Sequence, residues 1–597
     1  MASETVYKHK GEDDEETSLL GYHPRSRRQC NFFKTSALVA VIFVTGMFLA
    51  DGNLWNSQTS NSGEESKDPH IVLFLTDDQG FNDIGYQSTD LTDLTPHIDA
   101  LAETGTILSW FYSNHVCTPS RASLMTGLYP SHLGMQHSIV SGTHMFGLPL
   151  ELVTMPQIMK RAGYNTLMLG KWHLGHYTTN HVPTSRGFDN FFGFYSGFQD
   201  HFTHISESTI CQEPACYYDL RYGTETVDTS TLSDDAAYGP NLWRNEATEF
   251  IETYDTSVPL FLYYAESLVH EPVEAPDYIF TKYEALLSTI PNVDRRGFGA
   301  MTIYLDEVVH NLTEALRARG MWDNTVFIYC SDNGGDAAAI GSGSNVPLRG
   351  RKMNLFEGGV RVPAFIHSQL LPSKVQRTRY DYMFHISDWL PTIVHGIISR
   401  KDLLDDLSTA QGSLDGVNHW SAIREGSDSS TDDNYPSKAP RTEILVGMDY
   451  LNFDDEWTGY DTAAVIVGYD KLITNEVNET WWPIPGVDIV TREPLFTMTG
   501  TPVYTYLFNL RDDPEERVDL SLLYPEKVEE LKLVLASYHA TMVDSMYCPT
   551  VDPIADTILS EKGFVAPWTT TDETCPLRVL ATGEEQVDFN PSFLSDD

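Results

Sequence analysis

Basic residues are scarce in this 597-residue chain: 39 lysines and arginines face 84 aspartates and glutamates, and the formal net charge is -45. Proteins that bind DNA or RNA need clustered cations to neutralise phosphates, so the composition argues against a nucleic-acid partner. An anionic substrate would require the few cations to be gathered in one place. The lysines and arginines that stand near motifs are therefore the informative ones.

Long apolar runs are also lacking. The apolar segment from Ala37 to Ala50 is shorter than the roughly 20 residues of a comfortable membrane span. It follows a polar tail, residues 1–34, that ends in basic residues, so the tail is expected to stay in the cytosol while the remainder is translocated. We interpret residues 35–50 as an uncleaved signal-anchor, with a cleaved signal segment as the alternative. Residues 51–68 are predicted to be a solvated linker.

The chain has seven cysteines. Cys30 would face the cytosol, and Cys330 lies in an apolar run, where a buried free thiol is expected. The pairs that could form disulfides are Cys211 with Cys216, and Cys548 with Cys575. Two sequons, at Asn311 and Asn478, suit N-glycosylation of a lumenal chain.

Short apolar runs without alternation predict strands buried on both faces of a parallel sheet. They are 71–75, 166–169, 260–264 and 326–330. Helical spacing between them, as in 296–319, predicts an α/β sandwich. Because ligands bind at the carboxyl ends of such strands, we expect the polar residues that follow each run to converge.

The pattern of predicted secondary structure changes past Gly416. Strand-like runs at 443–446, 463–467 and 503–508, followed by a helical pattern from Pro525 to about Val543, predict a smaller antiparallel sheet covered by a helix. The fold class is therefore α/β, with a large domain at 69–415 and a C-terminal subdomain at 416–597. No internal repeat is evident.

Carboxylates follow two of the predicted strands. Asp77 and Asp78 come after the first strand, and Asp332 and Asn333 after the fourth. Hard oxygen ligands of this kind suit calcium or magnesium; the mixed set favours calcium, and zinc is disfavoured.

Cys117 begins the string Cys117-Thr-Pro-Ser-Arg121. Thr118 is expected to cap a helix and Pro119 to occupy its first position, which places residue 117 at the helix N-terminus. Free amide groups there favour an anion next to the side chain.

Residues 69 to about 525 resemble the sulfatase branch of the alkaline-phosphatase-like superfamily, and most closely the arylsulfatase B group. The strings that carry the resemblance are Leu75-Thr-Asp-Asp-Gln-Gly80, Cys117-Thr-Pro-Ser-Arg121, Gly170-Lys-Trp-His-Leu-Gly175, Val269-His-Glu-Pro272, Ser331-Asp-Asn-Gly334, Pro347-Leu-Arg-Gly-Arg-Lys352 and Glu357-Gly-Gly-Val-Arg361. Val346 departs from the tryptophan that often precedes Pro-Leu-Arg-Gly-Arg-Lys in that group.

The resemblance implies that a formylglycine-generating enzyme of the endoplasmic reticulum oxidises Cys117 to formylglycine. One calcium per chain would be held by Asp77, Asp78, Asp332, Asn333 and the oxygen of residue 117. The implied catalytic residues are Cys117 itself, Arg121 beside its diol, Lys171 and Lys352 on the sulfate, His173 as the base on the diol and His270 near the ester oxygen.

The reaction implied is hydrolysis of sulfate monoesters, on sulfated glycans such as N-acetylgalactosamine 4-sulfate and on aryl sulfates. An aldehyde hydrate can expel sulfate by losing a proton, whereas a serine sulfate would need water to attack sulfur. The alternatives are a phosphatase or phosphodiesterase on the same scaffold and an inactive glycan-binding homologue. The expected location is the lumen of the secretory pathway, with the N-terminal segment as a membrane anchor, or the lysosome or the outside of the cell if that segment is cleaved.

Overall fold

A computed structural model describes residues 68–140, 142–206, 217–337, 342–427, 435–449, 462–484, 503–547 and 552–570. Its strands are β1 (His70–Thr76), β2 (Thr106–Leu108), β3 (Phe111–Tyr112), β4 (Asn165–Lys171), β5 (Asn190–Phe194), β6 (Arg221–Tyr222), β7 (Glu225–Thr226), β8 (Leu260–Ala265), β9 (Thr325–Ser331), β10 (Ala364–His367), β11 (Thr378–Tyr380), β12 (Phe384–His385), β13 (Glu443–Met448), β14 (Ala463–Val467), β15 (Asp470–Val477) and β16 (Val503–Asn509).

The α-helices are α1 (Pro96–Thr104), α2 (Cys117–Thr126), α3 (Met155–Arg161), α4 (Asp234–Ala237), α5 (Gly239–Thr253), α6 (Asp277–Lys282), α7 (Glu284–Leu287), α8 (Val293–Ala318), α9 (Glu357–Val360), α10 (Trp389–Pro391), α11 (Lys401–Gln411), α12 (Trp420–Glu425), α13 (Pro525–His539) and α14 (Pro553–Lys562). A π-helical segment, Thr392–Ile397, follows α10 directly.

A sheet of ten strands, in the order β11-β2-β10-β9-β1-β8-β4-β5-β6-β7, forms the centre of the larger part. Its middle strands β9, β1, β8 and β4 pair in parallel. Ile71, Leu73 and Leu75 of β1 pack into one core with α2 and α3, while Val72 and Phe74 pack into a second core with α1, α5 and α8. Alternate residues of one strand are therefore buried on opposite faces, and the predicted α/β sandwich is confirmed.

The four predicted strands are all present, each extended by one to three residues. Parallel pairing aligns their carboxyl ends: Thr76 is level with Ser331, and Gly170 is level with Ala265. Gly170 must be glycine because a Cβ there would lie 2.0 Å from the Ala265 carbonyl oxygen. The loops that follow these strands consequently begin at one edge of the sheet.

The smaller antiparallel sheet has the order β13-β14-β15-β16, and α13 covers one face through Val528, Leu531 and Leu535. This confirms the predicted C-terminal sheet and helix, although α13 ends at His539 rather than near Val543. Strand β15 was not predicted from the sequence. The predicted boundary between residues 415 and 416 stays a prediction.

Cys330 is buried and free, as predicted. Both predicted cysteine pairs, Cys211 with Cys216 and Cys548 with Cys575, lie outside the described residues. So do the segments at 1–34 and 35–50 and all of the predicted linker at 51–68 except Asp68. Within the described ranges, no helix has both the length and the apolar character needed to cross a membrane.

Candidate active site

Cys117 is the first residue of α2 and is 2% exposed. The N-cap of this helix is Val116, so the prediction that Thr118 caps it was wrong. The Thr118 hydroxyl instead donates to the His173 carbonyl (3.1 Å) and accepts from the Val140 amide (3.1 Å). Thr118 thus ties the helix start to two neighbouring loops, and residue 117 still lies at the helix N-terminus.

Two carboxylates lie beside the thiol. The Cys117 Sγ is 3.7 Å from Asp77 Oδ1 and 3.9 Å from Asp78 Oδ1. Asp78 has a positive φ of 56°, and its amide donates to Asp332 Oδ1 at 3.2 Å. A left-handed backbone at a non-glycine residue is a strain that is typical of functional sites.

Each of the three aspartates has its own cation. Lys171 Nζ donates to both oxygens of Asp77 at 2.9 and 2.7 Å, and Lys352 Nζ donates to Asp78 Oδ2 at 2.6 Å. Arg121 donates through Nε and Nη2 to Asp332 Oδ2 at 3.0 and 2.8 Å. Three positive and three negative charges therefore balance, and a bound divalent cation would make the site positive.

Two histidines complete the cluster. His270 Nε2 lies 3.5 Å from Asp78 Oδ2 and 3.2 Å from Lys352 Nζ, while its Nδ1 contacts the Glu271 carbonyl at 2.8 Å. His173 contacts the Val140 carbonyl through Nε2 at 3.0 Å, which leaves Nδ1 buried and without a hydrogen-bond partner. Gly197 packs against the His173 ring, and a Cβ there would lie 2.8 Å from Nε2.

Burial sets the protonation of these groups. It raises the pKa of the Cys117 thiol to about 12 despite the nearby Lys171 and Lys352. It lowers the pKa of His270 to about 3 and that of His173 well below its usual value, so both imidazoles are neutral. Burial would raise the pKa of Asp78, but the charges of Lys352 and Lys171, with the hydrogen bond from Lys352, outweigh it and hold that pKa well below the usual range. An unmodified thiol at this position is a poor nucleophile.

The cluster fits a hard divalent cation. One ligand atom each from Asp77, Asp78, Cys117 and His270 lies within 4.8 Å of the others. The Asn333 side-chain oxygen is buried and has no hydrogen-bond partner, while its Nδ2 donates to Asp78 Oδ1 at 2.7 Å. Carboxylate and amide oxygens are the donors that calcium and magnesium prefer.

The structure thus brings together all of the site residues predicted from the sequence. Asp332 differs from Asp77 and Asp78 in that it is not one of the four residues whose ligand atoms lie within 4.8 Å of one another; its Oδ2 pairs with Arg121. Three contributors were missed: the Val140 carbonyl that holds His173, the Phe198 ring stacked on His270 (centroids 5.6 Å apart), and Arg349, which anchors the Lys352 segment. Only Arg349 left a sequence signal, in the string that ends at Lys352.

The site combines acidic residues at the carboxyl ends of the strands with a buried cysteine at a helix N-terminus, an arrangement on an α/β sandwich that suits the hydrolysis of oxyanion esters. The sulfatase family model matches residues 69–396. Arylsulfatase J of Mus musculus is 36% identical over 517 residues, which covers 84% of this chain and 80% of that protein. N-acetylgalactosamine-6-sulfatase of Homo sapiens is 33% identical over 313 residues, covering 50% and 56%.

Among solved structures, the crystal structure of Ps i-CgsB aligns with a TM-score of 0.62 and 25% identity, over 83% of this chain and 98% of that one. The chain belongs to the sulfatase family. It is an enzyme of the sulfuric ester hydrolase class, which hydrolyses sulfate esters of glycans or aryl substrates.

Proposed function

We propose that this chain is a calcium-dependent sulfatase whose nucleophile is formylglycine made from Cys117. The observation that carries the proposal is the position of Cys117. It lies at the start of α2, within 3.7 Å of Asp77 and in a cluster with three carboxylates and three cations. Formylglycine would supply a geminal diol, whose chemistry is attack on sulfur through one hydroxyl with release of the alcohol, followed by release of sulfate as the other hydroxyl loses its proton and the aldehyde re-forms.

Calcium would be held by Asp77, Asp78, Asp332, Asn333 and the oxygen of residue 117. The unpartnered Asn333 oxygen and the adjoining Asp77 and Asp78 carboxylates support this set. When bound, the ion would polarise the sulfate oxygens and lower the pKa of the attacking hydroxyl.

Lys171 and Lys352 bind the sulfate oxygens. A cation about 4 Å from a unit negative charge gains up to roughly 4 kcal/mol at an intermediate dielectric, before the cost of desolvation. Arg121 is tied to Asp332 and to the Lys171 carbonyl (3.0 Å), so it is fixed as a scaffold cation beside residue 117.

His173 is the base. Its Nε2–H donates to the Val140 carbonyl, so Nδ1 carries the free lone pair that accepts the proton released with sulfate. Lys352 donates to His270 Nε2, and the pair supports departure of the alcohol, which takes up a proton as the ester bond breaks. A neutral imidazole suits the base, His173. His270 is also neutral and its Nδ1–H is directed at the Glu271 carbonyl, so the proton for the departing alcohol would come from the Lys352 ammonium.

The proposed substrates are sulfated glycans, such as those carrying N-acetylgalactosamine 4-sulfate, and aryl sulfates. The similarity to N-acetylgalactosamine-6-sulfatase and arylsulfatase J supports this substrate class. The proposed workplace is the secretory-pathway lumen, where N-glycans would attach at Asn311 and Asn478. Both asparagines are partly exposed.

The test is Cys117→Ala. The variant should keep the melting temperature of the wild type within a few degrees but lose aryl-sulfate turnover by at least a thousandfold, since the nucleophile is gone. Wild-type activity on phosphate esters with bound zinc would instead favour the phosphatase alternative. Binding of sulfated glycans without sulfate release would favour the inactive homologue.

A further inference from the structure

The mouth of the site beside His270 and Lys352 is lined by acidic side chains. Glu271 follows His270 directly, and Asp336 comes three residues after Asn333. Both side chains are partly exposed, and their charges are close enough to act on each other and on Lys352. Two negatively charged side chains, Glu271 and Asp336, therefore lie next to Lys352, one of the cations proposed to bind the sulfate.

Arg351, the basic residue of this rim, is already engaged. Its Nη1 donates to Asp336 Oδ1 at 3.2 Å, and its Nε lies 3.9 Å from Glu479 Oε2. The guanidinium packs over the Trp482 ring, 5.6 Å from its centroid, and Trp482 Nε1 donates to Glu479 Oε1 at 3.1 Å. Glu479 is buried, at 4% exposed, so the partly exposed rim carries two carboxylates, those of Glu271 and Asp336, and one arginine.

Around Cys117 the charges are balanced instead, because Asp77, Asp78 and Asp332 each pair with one cation. The same cluster has ligand atoms that could hold a divalent ion. Phe198, which is partly exposed and stacked on His270 at 23°, adds an apolar face at the same mouth. A sugar ring has an apolar face, which an aromatic ring can pack against, and hydroxyl and amide N–H donors, which carboxylates can accept.

We infer that this acidic rim selects sugars whose only anionic group at the mouth is the sulfate being cleaved. Hydroxyl and N–H donors of the ring bind Glu271 and Asp336, while a second sulfate or a carboxylate on the same sugar is repelled. The inference rests on the proposed function and narrows its substrate class to monosulfated neutral or N-acetylated sugars.

The test measures N-acetylgalactosamine 4-sulfate and N-acetylgalactosamine 4,6-disulfate as competitors of nitrocatechol sulfate hydrolysis by the full chain. The monosulfated sugar should compete at least about tenfold better, because each like charge at a partly exposed site costs roughly a factor of five. In the double variant Glu271→Gln, Asp336→Asn this preference should fall at least fivefold. The control Glu314→Gln, at an exposed ion pair on α8, should keep the wild-type preference.

An unchanged preference in the double variant, equal competition by the two sugars in the wild type, or no competition by either would overturn the inference. Raising the salt to about 1 M, where the screening length falls to roughly 3 Å, should shrink the preference in the wild type alone. Failure of the proposed function would give a different result, namely no hydrolysis of nitrocatechol sulfate at all. Binding of the two sugars to the Cys117→Ala chain, measured by calorimetry with calcium present, then tests the rim independently of turnover.

Discussion

Lys352 joins the two halves of the site. Its ammonium contacts Asp78, beside Cys117, and His270, at the mouth. Burial alone would lower the pKa of Lys352, but Asp78 and the other acidic groups nearby raise it well above the usual value, so the charge persists. In the proposed mechanism, this one side chain would contact the carboxylate cluster, the sulfate and the departing alcohol.

Replacing Lys352 by methionine keeps the length of the side chain and removes the charge. We expect kcat/KM for an aryl sulfate to fall about 10²–10³-fold, the usual loss when one donor to a developing oxyanion is removed. Initial rates against substrate concentration measure this. Lys401→Met, at a side chain 59% exposed on α11, is the matched control and should match the wild type. A Lys352→Met enzyme within threefold of wild type would contradict the assignment.

At the scale of elements, the C-terminal sheet holds the segment that presents Lys352. Arg349 donates to the Glu479 carbonyl (2.9 Å) and to Asn478 Oδ1 (2.8 Å), and the Gly350 amide donates to the Thr480 carbonyl (2.9 Å). The guanidinium is enclosed by four aromatic rings, with centroids 4.0–5.8 Å from Cζ: Phe356, Trp481, Tyr506 and Phe508. Arg349 is therefore a positioning residue for Lys352.

Arg349→Met should lower kcat/KM about tenfold or more in the folded fraction, because the Lys352 segment loses its anchor. The buried Glu479 carbonyl would also lose its side-chain donor, which costs about 1–3 kcal/mol. Arg349→Lys should restore part of the activity, and Arg511→Met, on a partly exposed arginine over Tyr469, should change neither quantity. If Arg349→Met lowers the melting temperature but leaves kcat/KM of the folded protein unchanged, Arg349 is structural only.

The elements that could be predicted were those whose pattern is local. Strands β1 and β9 are continuous apolar runs, so their burial on both faces was readable. Strand β15 was missed because Asp470-Lys-Leu-Ile-Thr-Asn-Glu-Val477 is mostly polar; its Lys471 is fully buried only because it pairs with Glu357 (2.9 Å) and Glu516 (2.8 Å). The cap of α2 was missed because Thr118 takes partners 22 and 55 residues away.

At the scale of the whole molecule, burial of neutral histidines opposes acid stability. The described histidines whose pKa burial lowers are His97, His115, His144, His173, His176, His201, His204, His270, His367, His385 and His419. Buried carboxyls act in the opposite sense, since burial raises the pKa of Asp306 and Glu266 to about 7. Substitution of one histidine can show how much that residue contributes to the pH dependence of the free energy of unfolding.

His385 is fully buried, and burial, with a smaller contribution from Arg441, lowers its pKa from 6.5 to about 3. Between these values the unfolded chain binds the extra proton, so the stabilisation present above pH 6.5 is lost as the pH falls towards 3. His385→Asn retains an acceptor for the Ser387 amide but does not titrate. On acidification from pH 7.5 to 4.5, the free energy of unfolding of the variant should therefore fall by roughly 3 kcal/mol less than that of the wild type.

Denaturant unfolding of both proteins at pH 7.5 and 4.5 measures the difference, with the partly exposed His539→Asn as the control. The same pH slope in wild type and His385→Asn would show that His385 is not a source of acid lability.

The sequence predicted the side chains that the structure brings together around Cys117, but it did not predict the groups that hold those side chains in place. Motif strings and the convergence of strand ends identified Asp77, Lys171, His270 and Asp332, since Lys171 ends a buried strand and the other three come after one. Val140 contributes only a carbonyl, which no side-chain pattern reveals. The aromatic rings around Arg349 are separated from it by up to 159 residues in the sequence, from Arg349 to Phe508, so only the folded chain brings them together.

The central claim is that residue 117 is a formylglycine in the mature enzyme. Peptide mass spectrometry across residue 117 of chain purified from a eukaryotic secretory pathway, with turnover measured on the same sample, tests it directly. The account predicts the aldehyde in the active material and activity proportional to its fraction. Full sulfatase activity from material that carries only the intact Cys117 thiol would contradict it.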